Sequence, residues 1–146
     1  MKTMSNNRPG TPQEPDNQQD EDAIAFAQGL FELARNGGAG PLSVMLNAGV
    51  PVDIRTNTGD SLLMLACSNG HADTARLLLE NGADPNLRNE QRQTPLMVAA
   101  RLNDVEIIAH LLEGGADKSL TDARDQSALD LAKSVGAEDA VNSLNK

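Results

Sequence analysis

The sequence predicts an all-α repeat solenoid, a stack of about four helix-turn-helix units joined by short hairpin loops. The motif LLENGAD at residues 78–84 recurs 33 residues later as LLEGGAD at 111–117. Upstream, SLLMLA from Ser61 recurs at the same spacing as TPLMVA from Thr94 and as SALDLA from Ser127. Three copies at one period, with no insertion between them, are typical of a stacked repeat array.

The composition argues against several classes of function. The 146 residues include 21 acidic and 12 basic side chains, which gives a net charge of −9. Such an excess of negative charge argues against a nucleic-acid partner and against an anionic membrane surface, since both require basic residues. A single cysteine cannot form an internal disulfide. Because the sequence shows neither a signal peptide nor a long apolar run, we expect a cytoplasmic protein.

Residues 1–20 are expected to form a disordered polar tail, with a short linear binding motif as the alternative. They lack apolar periodicity and cannot bury enough surface to offset the entropy cost of ordering. From Glu21 the pattern becomes helical, after a first turn rich in acidic residues that suits the helix dipole. The apolar positions of this first helix are Ala23, Ile24, Ala27, Leu30, Phe31 and Ala34. Asn36, Gly37 and Gly38 are expected to end it.

Each central repeat predicts a helix, a tight turn, a second helix and an extended hairpin. Thr94 is suited to cap the first helix, and Pro95 fits its first position, where the missing N–H is harmless. Val105–Glu113 has apolar residues at helical spacing, and Gly115 ends this helix because glycine adopts positive φ without strain. Stacking at the 33-residue period predicts two core rows, Leu63, Leu96 and Leu129, and Ala66, Ala99 and Ala132.

These motifs resemble the ankyrin repeat. The resemblance rests on TPLMVAA from Thr94, NGH from Asn69 and GADPN from Gly82, which keep their mutual spacing between copies. It covers residues 21–146 and divides them into approximate repeats 21–53, 54–86, 87–119 and 120–146. The size and the isolated array are similar to small bacterial ankyrin proteins. The resemblance implies an L-shaped unit whose hairpins project as fingers beside the first helices and form a concave binding face.

One departure from the family pattern concerns the fingers. The glycine of the family's hairpin is present at Gly59 but is replaced by Arg92 and Asp125 in the next two repeats. If these positions need a positive φ, each replacement costs about 1 kcal/mol. We therefore expect two of the fingers to be distorted.

No catalytic, cofactor-binding or metal site can be assembled from the sequence. His71 and His110 lie in different repeats, where we expect a structural role for the first and a packed or partly exposed position for the second. Cys67 aligns with Ala34 and Ala100, which predicts a small buried side chain and not a reactive thiol. Zinc would need further Cys or His ligands, and no nucleophile has a general base. We expect no cofactor and no enzyme activity.

The distribution of charge indicates a candidate partner-binding face. In the geometry that the resemblance implies, five of the 12 basic residues lie on the hairpins and the adjoining ends of first helices, whereas acidic residues dominate the second helices. We interpret the hairpin side as an arginine-bearing concavity for a partner with acidic or hydrogen-bond-accepting groups. The alternative is an ordinary solvated surface. The predicted partner-binding residues are Arg55, Asn57, Thr58 and Asp60 on one finger, Arg88, Glu90, Gln91, Arg92 and Gln93 on the next, and Arg101, Leu102 and Arg124 nearby.

Taken as a whole, the sequence predicts a small, monomeric, non-catalytic protein that binds a partner protein through its fingers and concave helices. It would act as an adaptor, or as an inhibitor or protective partner of an enzyme. The alternative is a structural module whose array chiefly forms homo-oligomers. An enzyme is the third alternative. A fold alone does not exclude catalytic activity, but no catalytic site can be assembled from these residues. The sequence does not identify the partner.

Overall fold

Eight α-helices make up the part of the chain that the computed structural model describes, residues 18–146. In chain order they are α1 (Gln18–Asn36), α2 (Ala39–Asn47), α3 (Leu62–Ser68), α4 (Ala72–Glu80), α5 (Pro95–Arg101), α6 (Val105–Glu113), α7 (Ala128–Ser134) and α8 (Glu138–Leu144). The odd-numbered helices pack side by side as an inner row, and the even-numbered helices form an outer row against them. This arrangement confirms the predicted all-α solenoid.

The first helix is longer than the other inner helices and begins at Gln18. Residues 18–20, which the sequence places in the polar tail, therefore belong to α1, and the rest of that predicted tail lies outside the described residues. Asp20 and Glu21 occupy the first turn, where carboxylates interact favourably with the positive end of the helix dipole. Within residues 18–146, no helix combines the length and apolar character needed to cross a membrane.

The inner helices of the later units begin at hydroxyl N-caps. Ser61, Thr94 and Ser127 each accept a hydrogen bond from the backbone N–H three residues further on, at 3.1 to 3.3 Å. Pro95 follows at the first helical position, as predicted. Asp130 completes a capping box by accepting from the Ser127 N–H at 3.1 Å. Hydrogen bonds from the Ser127 backbone and then from its hydroxyl hold the pKa of Asp130 below its ordinary value.

The hydrophobic core runs along the stack between the two helix rows. Leu63 and Leu96 are each 1% exposed, which confirms their place in the predicted leucine row. Leu129, the third member, lies in the last described unit and is only partly buried. The predicted alanine row is fully buried, and its small side chains let neighbouring inner helices approach closely. Its members are Ala66, Ala99 and Ala132.

The turn between the two helices of a unit needs one residue at positive φ. Gly70 (75°) and Gly136 (72°) fill this position in two units, and Asn103 (59°) fills it between them. The Asn103 side chain also reaches the next unit, where its Oδ1 accepts from Ala140 N at 2.8 Å. Ala140 lies in the first turn of α8, whose N-cap residue, Ala137, has no side-chain acceptor of its own. Asn103 therefore caps a helix of the neighbouring unit.

Candidate partner-binding surface

Three hairpins, which we call fingers, project beside the inner helices: finger 1 (residues 54–60), finger 2 (87–93) and finger 3 (120–126). Each finger is closed by an equivalent backbone hydrogen bond, which in finger 1 runs from Thr56 N to Asp60 O at 2.9 Å. The corresponding bonds of fingers 2 and 3 measure 3.1 and 2.9 Å. The three fingers therefore share one backbone design despite their different sequences.

The expected distortion at Arg92 and Asp125 is wrong, although both residues do adopt a positive φ of 64°. The residue that begins each turn explains why the turn keeps its shape. Asn89 Oδ1 accepts two backbone N–H groups of its own turn at 3.0 Å, and Asp122 Oδ1 accepts two at 2.9 Å. The Thr56 hydroxyl does the same in finger 1, at 3.3 and 3.1 Å. In fingers 2 and 3, which lack the glycine of finger 1, these side-chain acceptors stabilise the turn.

Neighbouring fingers are joined by backbone hydrogen bonds near their turns. Glu90 N donates to Thr58 O, and Ala123 N donates to Gln91 O, both at 3.1 Å. The Asn89 side-chain amide adds a bond of 3.1 Å to the carboxylate of Asp60. The row of fingers is therefore a hydrogen-bonded surface and not a set of independent loops.

Two of the predicted partner-binding arginines also join the fingers. Arg55 Nη1 donates to Arg88 O at 3.3 Å, and Arg88 Nη1 donates to Thr121 O at 3.4 Å. The two arginines occupy the same position of the 33-residue period, so they make the same contact in successive units. A side chain with this role positions the binding surface, and it is less free to contact a partner.

A central groove lies between the fingers and the inner helices and encloses about 720 Å³. Its polar walls come from fingers 1 and 2 and carry the carboxylates of Asp60 and Glu90. Its floor includes Arg101 together with two apolar side chains that are more than half exposed, Leu102 (52%) and Val135 (53%). An exposed apolar floor beneath hydrogen-bonding walls is suited to a protein interface, which has an apolar centre and a polar rim.

A second depression, the N-terminal groove, lies between α1 and finger 1 and encloses about 1150 Å³. It exists because α1 has 19 residues and each later inner helix has 7. The 33-residue register aligns residues 29–35 with α3, so residues 18–28 extend the helix by about 16 Å. In that register, residues 21–27 of the extension correspond to finger 1 of the next unit. Ile24, on this extension, is 53% exposed and lines the groove.

A third depression, the C-terminal groove, lies between fingers 2 and 3 and encloses about 330 Å³. It contains two guanidiniums, Arg101 and Arg124, and one carboxylate, Asp122. The central groove, by contrast, has two carboxylates and one guanidinium. The sequence predicts an arginine-bearing surface for the whole concave face, but of the three grooves only the C-terminal groove has more arginines than carboxylates.

The grooves bring together most of the predicted partner-binding residues. Ten of the twelve line at least one of them: Arg55, Asn57, Thr58, Asp60, Glu90, Gln91, Gln93, Arg101, Leu102 and Arg124. Arg88 lies half-buried between fingers, and Arg92 is exposed at the turn of finger 2. Three apolar residues that line the grooves are not among the predicted partner-binding residues. They are Val135, which lies one 33-residue period after Leu102, and Ile24 and Phe31 on α1.

The cysteine and the first histidine, the side chains most able to take part in chemistry, lie in structural positions. Cys67 is fully buried, and its burial, reinforced by the negative charge of Asp104, raises the pKa of the thiol. His71 Nε2 lies 2.8 Å from Arg35 O, so this ring binds the end of α1. Within residues 18–146, no three His, Cys, Asp or Glu side chains cluster closely enough to hold a metal ion.

We expect Cys67 to react with a thiol reagent such as DTNB only when the protein opens. The native thiol should react about a thousandfold or more slowly than in denaturant, because its exposure requires opening against the stability of the domain. Absorbance of the released thiolate, followed with and without urea, measures both rates. Rapid labelling of the native protein would show that Cys67 does not lie on the buried face of α3.

Comparison with known proteins gives two matches. A family model described as ankyrin repeats (3 copies) matches residues 30–122 and 82–145. An ankyrin repeat protein of Pseudomonas aeruginosa is 45% identical over 47 residues, which are 32% of this chain and 28% of that protein. The chain therefore matches less than a third of the length of this relative.

Proposed function

The chain belongs to the ankyrin-repeat family, and we propose that it binds another protein through the concave face formed by its fingers and inner helices. Ankyrin repeats are generally protein–protein interaction modules and are typically non-catalytic. The observation that carries the proposal is the floor of the central groove, where Leu102 and Val135 are more than half exposed between polar walls. In this role the protein is an adaptor, or an inhibitor or protective partner of an enzyme.

Rigidity of the binding surface supports this role. The fingers are held by bonds within each turn and by bonds between turns, such as Glu90 N to Thr58 O and Arg88 Nη1 to Thr121 O. A partner that meets such a surface has less conformational entropy to remove than one that meets flexible loops. Arg101 and Leu102 lie at the centre of the face, where arginine and buried apolar groups contribute most to binding energy.

The test is a double substitution at the centre of the face, Arg101→Ala with Leu102→Ala. We expect it to weaken binding to a partner captured from the native host by more than about tenfold, because energy concentrates in a few central residues. Both side chains are exposed, so the fold should be retained, which circular dichroism checks. Titration calorimetry with the purified partner measures the dissociation constants. Arg88 is unsuitable for this test because its loss would also free Thr121 O.

The matched control is Asp73→Ala with Glu106→Ala, two exposed residues of the outer helices. We expect this pair to leave binding within about twofold of wild type, because surface changes outside an interface have small effects. If the control pair weakens binding and the central pair does not, the interface lies on the outer helices and the proposal fails. Light scattering that detects a stable homo-oligomer and no foreign partner would favour self-association instead.

A further inference from the structure

In the part of the chain that the structure describes, finger 1 has a free backbone edge that fingers 2 and 3 lack. In finger 2, Glu90 N donates to the preceding finger and Arg88 O accepts from the Arg55 guanidinium. The 33-residue register makes Asn57 N and Arg55 O the equivalent groups of finger 1. Within residues 18–146, neither of these two groups has a hydrogen-bond partner. The backbone surface that receives a neighbour in the later units is therefore open in the first.

The neighbour of finger 1 on this side is a helix, which cannot complete the row. The α1 extension holds the register positions of a preceding finger, but its carbonyl groups are bonded within the helix. The N-terminal groove separates it from finger 1 and places the apolar side chains of Ile24 and Phe31 opposite that of Ile54. This groove therefore has a free backbone edge on one wall and an apolar surface on the other.

The two free groups are arranged as on the edge of a parallel β-sheet. Arg55 O and Asn57 N flank Thr56, and in a parallel pair one residue bonds to groups on either side of the residue opposite it. The isolated β-bridge between Arg55 and Ser61 shows that this side of the finger has extended backbone. Unpaired edge groups of this kind are a template for another extended chain.

We propose that the N-terminal groove binds an extended peptide segment of the partner protein by β-strand addition to finger 1. This proposal rests on the proposed function and specifies the kind of segment that the partner supplies. The segment donates a main-chain N–H to Arg55 O and accepts from Asn57 N with a main-chain carbonyl. Its apolar side chain packs between Ile24 on the helix wall and Ile54 on the finger wall.

The charges of the groove favour a segment that is itself apolar or uncharged. On the helix wall, Arg35 Nη1 lies 3.0 Å from the Glu32 carboxylate, so these two charges compensate each other. On the finger wall, the Arg55 guanidinium binds Arg88 O, and Asp60 accepts from Asn89 and Thr58. The groove is lined by two guanidiniums and two carboxylates, so its charges balance and a segment of either net charge gains no net attraction from its walls.

The decisive variant is Asn57→Pro, which deletes the free N–H and no bond seen in the described chain. Asn57 is the second residue of the turn closed by Gly59 N to Thr56 O at 2.9 Å, a position where proline is favoured. Asn57→Ala is the matched control, since it removes the side chain and keeps the N–H. In contrast, Glu90→Pro should destabilise the protein, because that N–H is bonded to Thr58 O.

The probe is a phage-displayed library of short linear peptides, selected on the wild-type chain and resynthesised for titration. We expect selected peptides to bind Asn57→Pro about five- to tenfold more weakly than Asn57→Ala, the value of one hydrogen bond, because both variants lose the side chain and only the proline variant loses the N–H. Amide exchange followed by NMR gives a second measurement. In the free chain the Asn57 amide should exchange quickly while those of Glu90 and Ala123 are protected, and peptide should slow exchange at Asn57.

Three results would overturn the proposal. The first is that no linear peptide is selected, and the second is that selected peptides bind Asn57→Pro as tightly as Asn57→Ala. The third is an Asn57 amide that is protected in the free chain and exposed on removal of residues 1–17, since the groove would then hold the chain's own segment. Peptides that tolerate Asn57→Pro but are lost with the Arg101 and Leu102 pair would leave the proposed function standing without this inference.

Discussion

Leu96→Ala is expected to lower the free energy of unfolding by about 2–5 kcal/mol, because it leaves a cavity in the middle of the stack. The side chain is 1% exposed, and its helix, α5, packs against α3, α6 and α7. Stability in a repeat array comes from interfaces between neighbouring units, so damage at a central unit affects both sides. With only about four units, we expect the whole array to lose stability together.

Urea denaturation monitored by circular dichroism measures this loss. Leu129→Ala is the matched control, since it makes the same chemical change at the equivalent position of the last unit, where the side chain is only partly buried. Its expected cost is smaller, because a partly exposed site leaves less of a cavity. An unchanged midpoint for Leu96→Ala would show that the core register is wrong.

Asn103→Ala is expected to cost about 2–3 kcal/mol, a large effect for an exposed residue. Two independent terms contribute. An L residue other than Gly, Asn or Asp pays about 1–2 kcal/mol to hold the left-handed conformation that Asn103 adopts at φ 59°. Loss of a helix cap, here the 2.8 Å bond to Ala140 N, costs typically about 1 kcal/mol.

Asn103→Gly separates these two terms, because glycine accepts the positive φ but cannot cap α8. We expect it to cost about 1 kcal/mol, mainly from the lost cap. Chemical denaturation gives the two stabilities, and amide exchange at Ala140 should become faster in both variants. If the glycine variant is as stable as wild type and exchange at Ala140 is unchanged, the bond between units contributes nothing.

Much of the fold could be predicted because its signals are local or periodic. The Thr94 cap, Pro95 and Gly115 mark helix ends through backbone requirements that hold in any protein. The second helix of the third repeat begins at Val105 and ends at Glu113 as predicted. The 33-residue period then places the core rows without further information, because stacked units repeat their contacts.

The fingers and grooves were harder to predict, because their form depends on distances between units. The absence of the hairpin glycine at Arg92 suggests a distorted turn. The turn is instead supported by the side chain of Asn89, which lies three residues earlier in the sequence. Arg55 and Arg88 looked like free binding groups, although their shared register position could have indicated a repeated structural contact. The N-terminal groove depends on the length of α1, which begins before the predicted end of the polar tail.

The central claim is that a partner protein binds the concave face, and hydrogen–deuterium exchange of the complex tests it most directly. Exchange of each segment would be compared between the free chain and the chain saturated with its captured partner. The account predicts slower exchange in finger 1, in finger 2 and around Leu102, with little change in α4 and α6. Protection confined to α4 and α6, with the fingers unchanged, would contradict it.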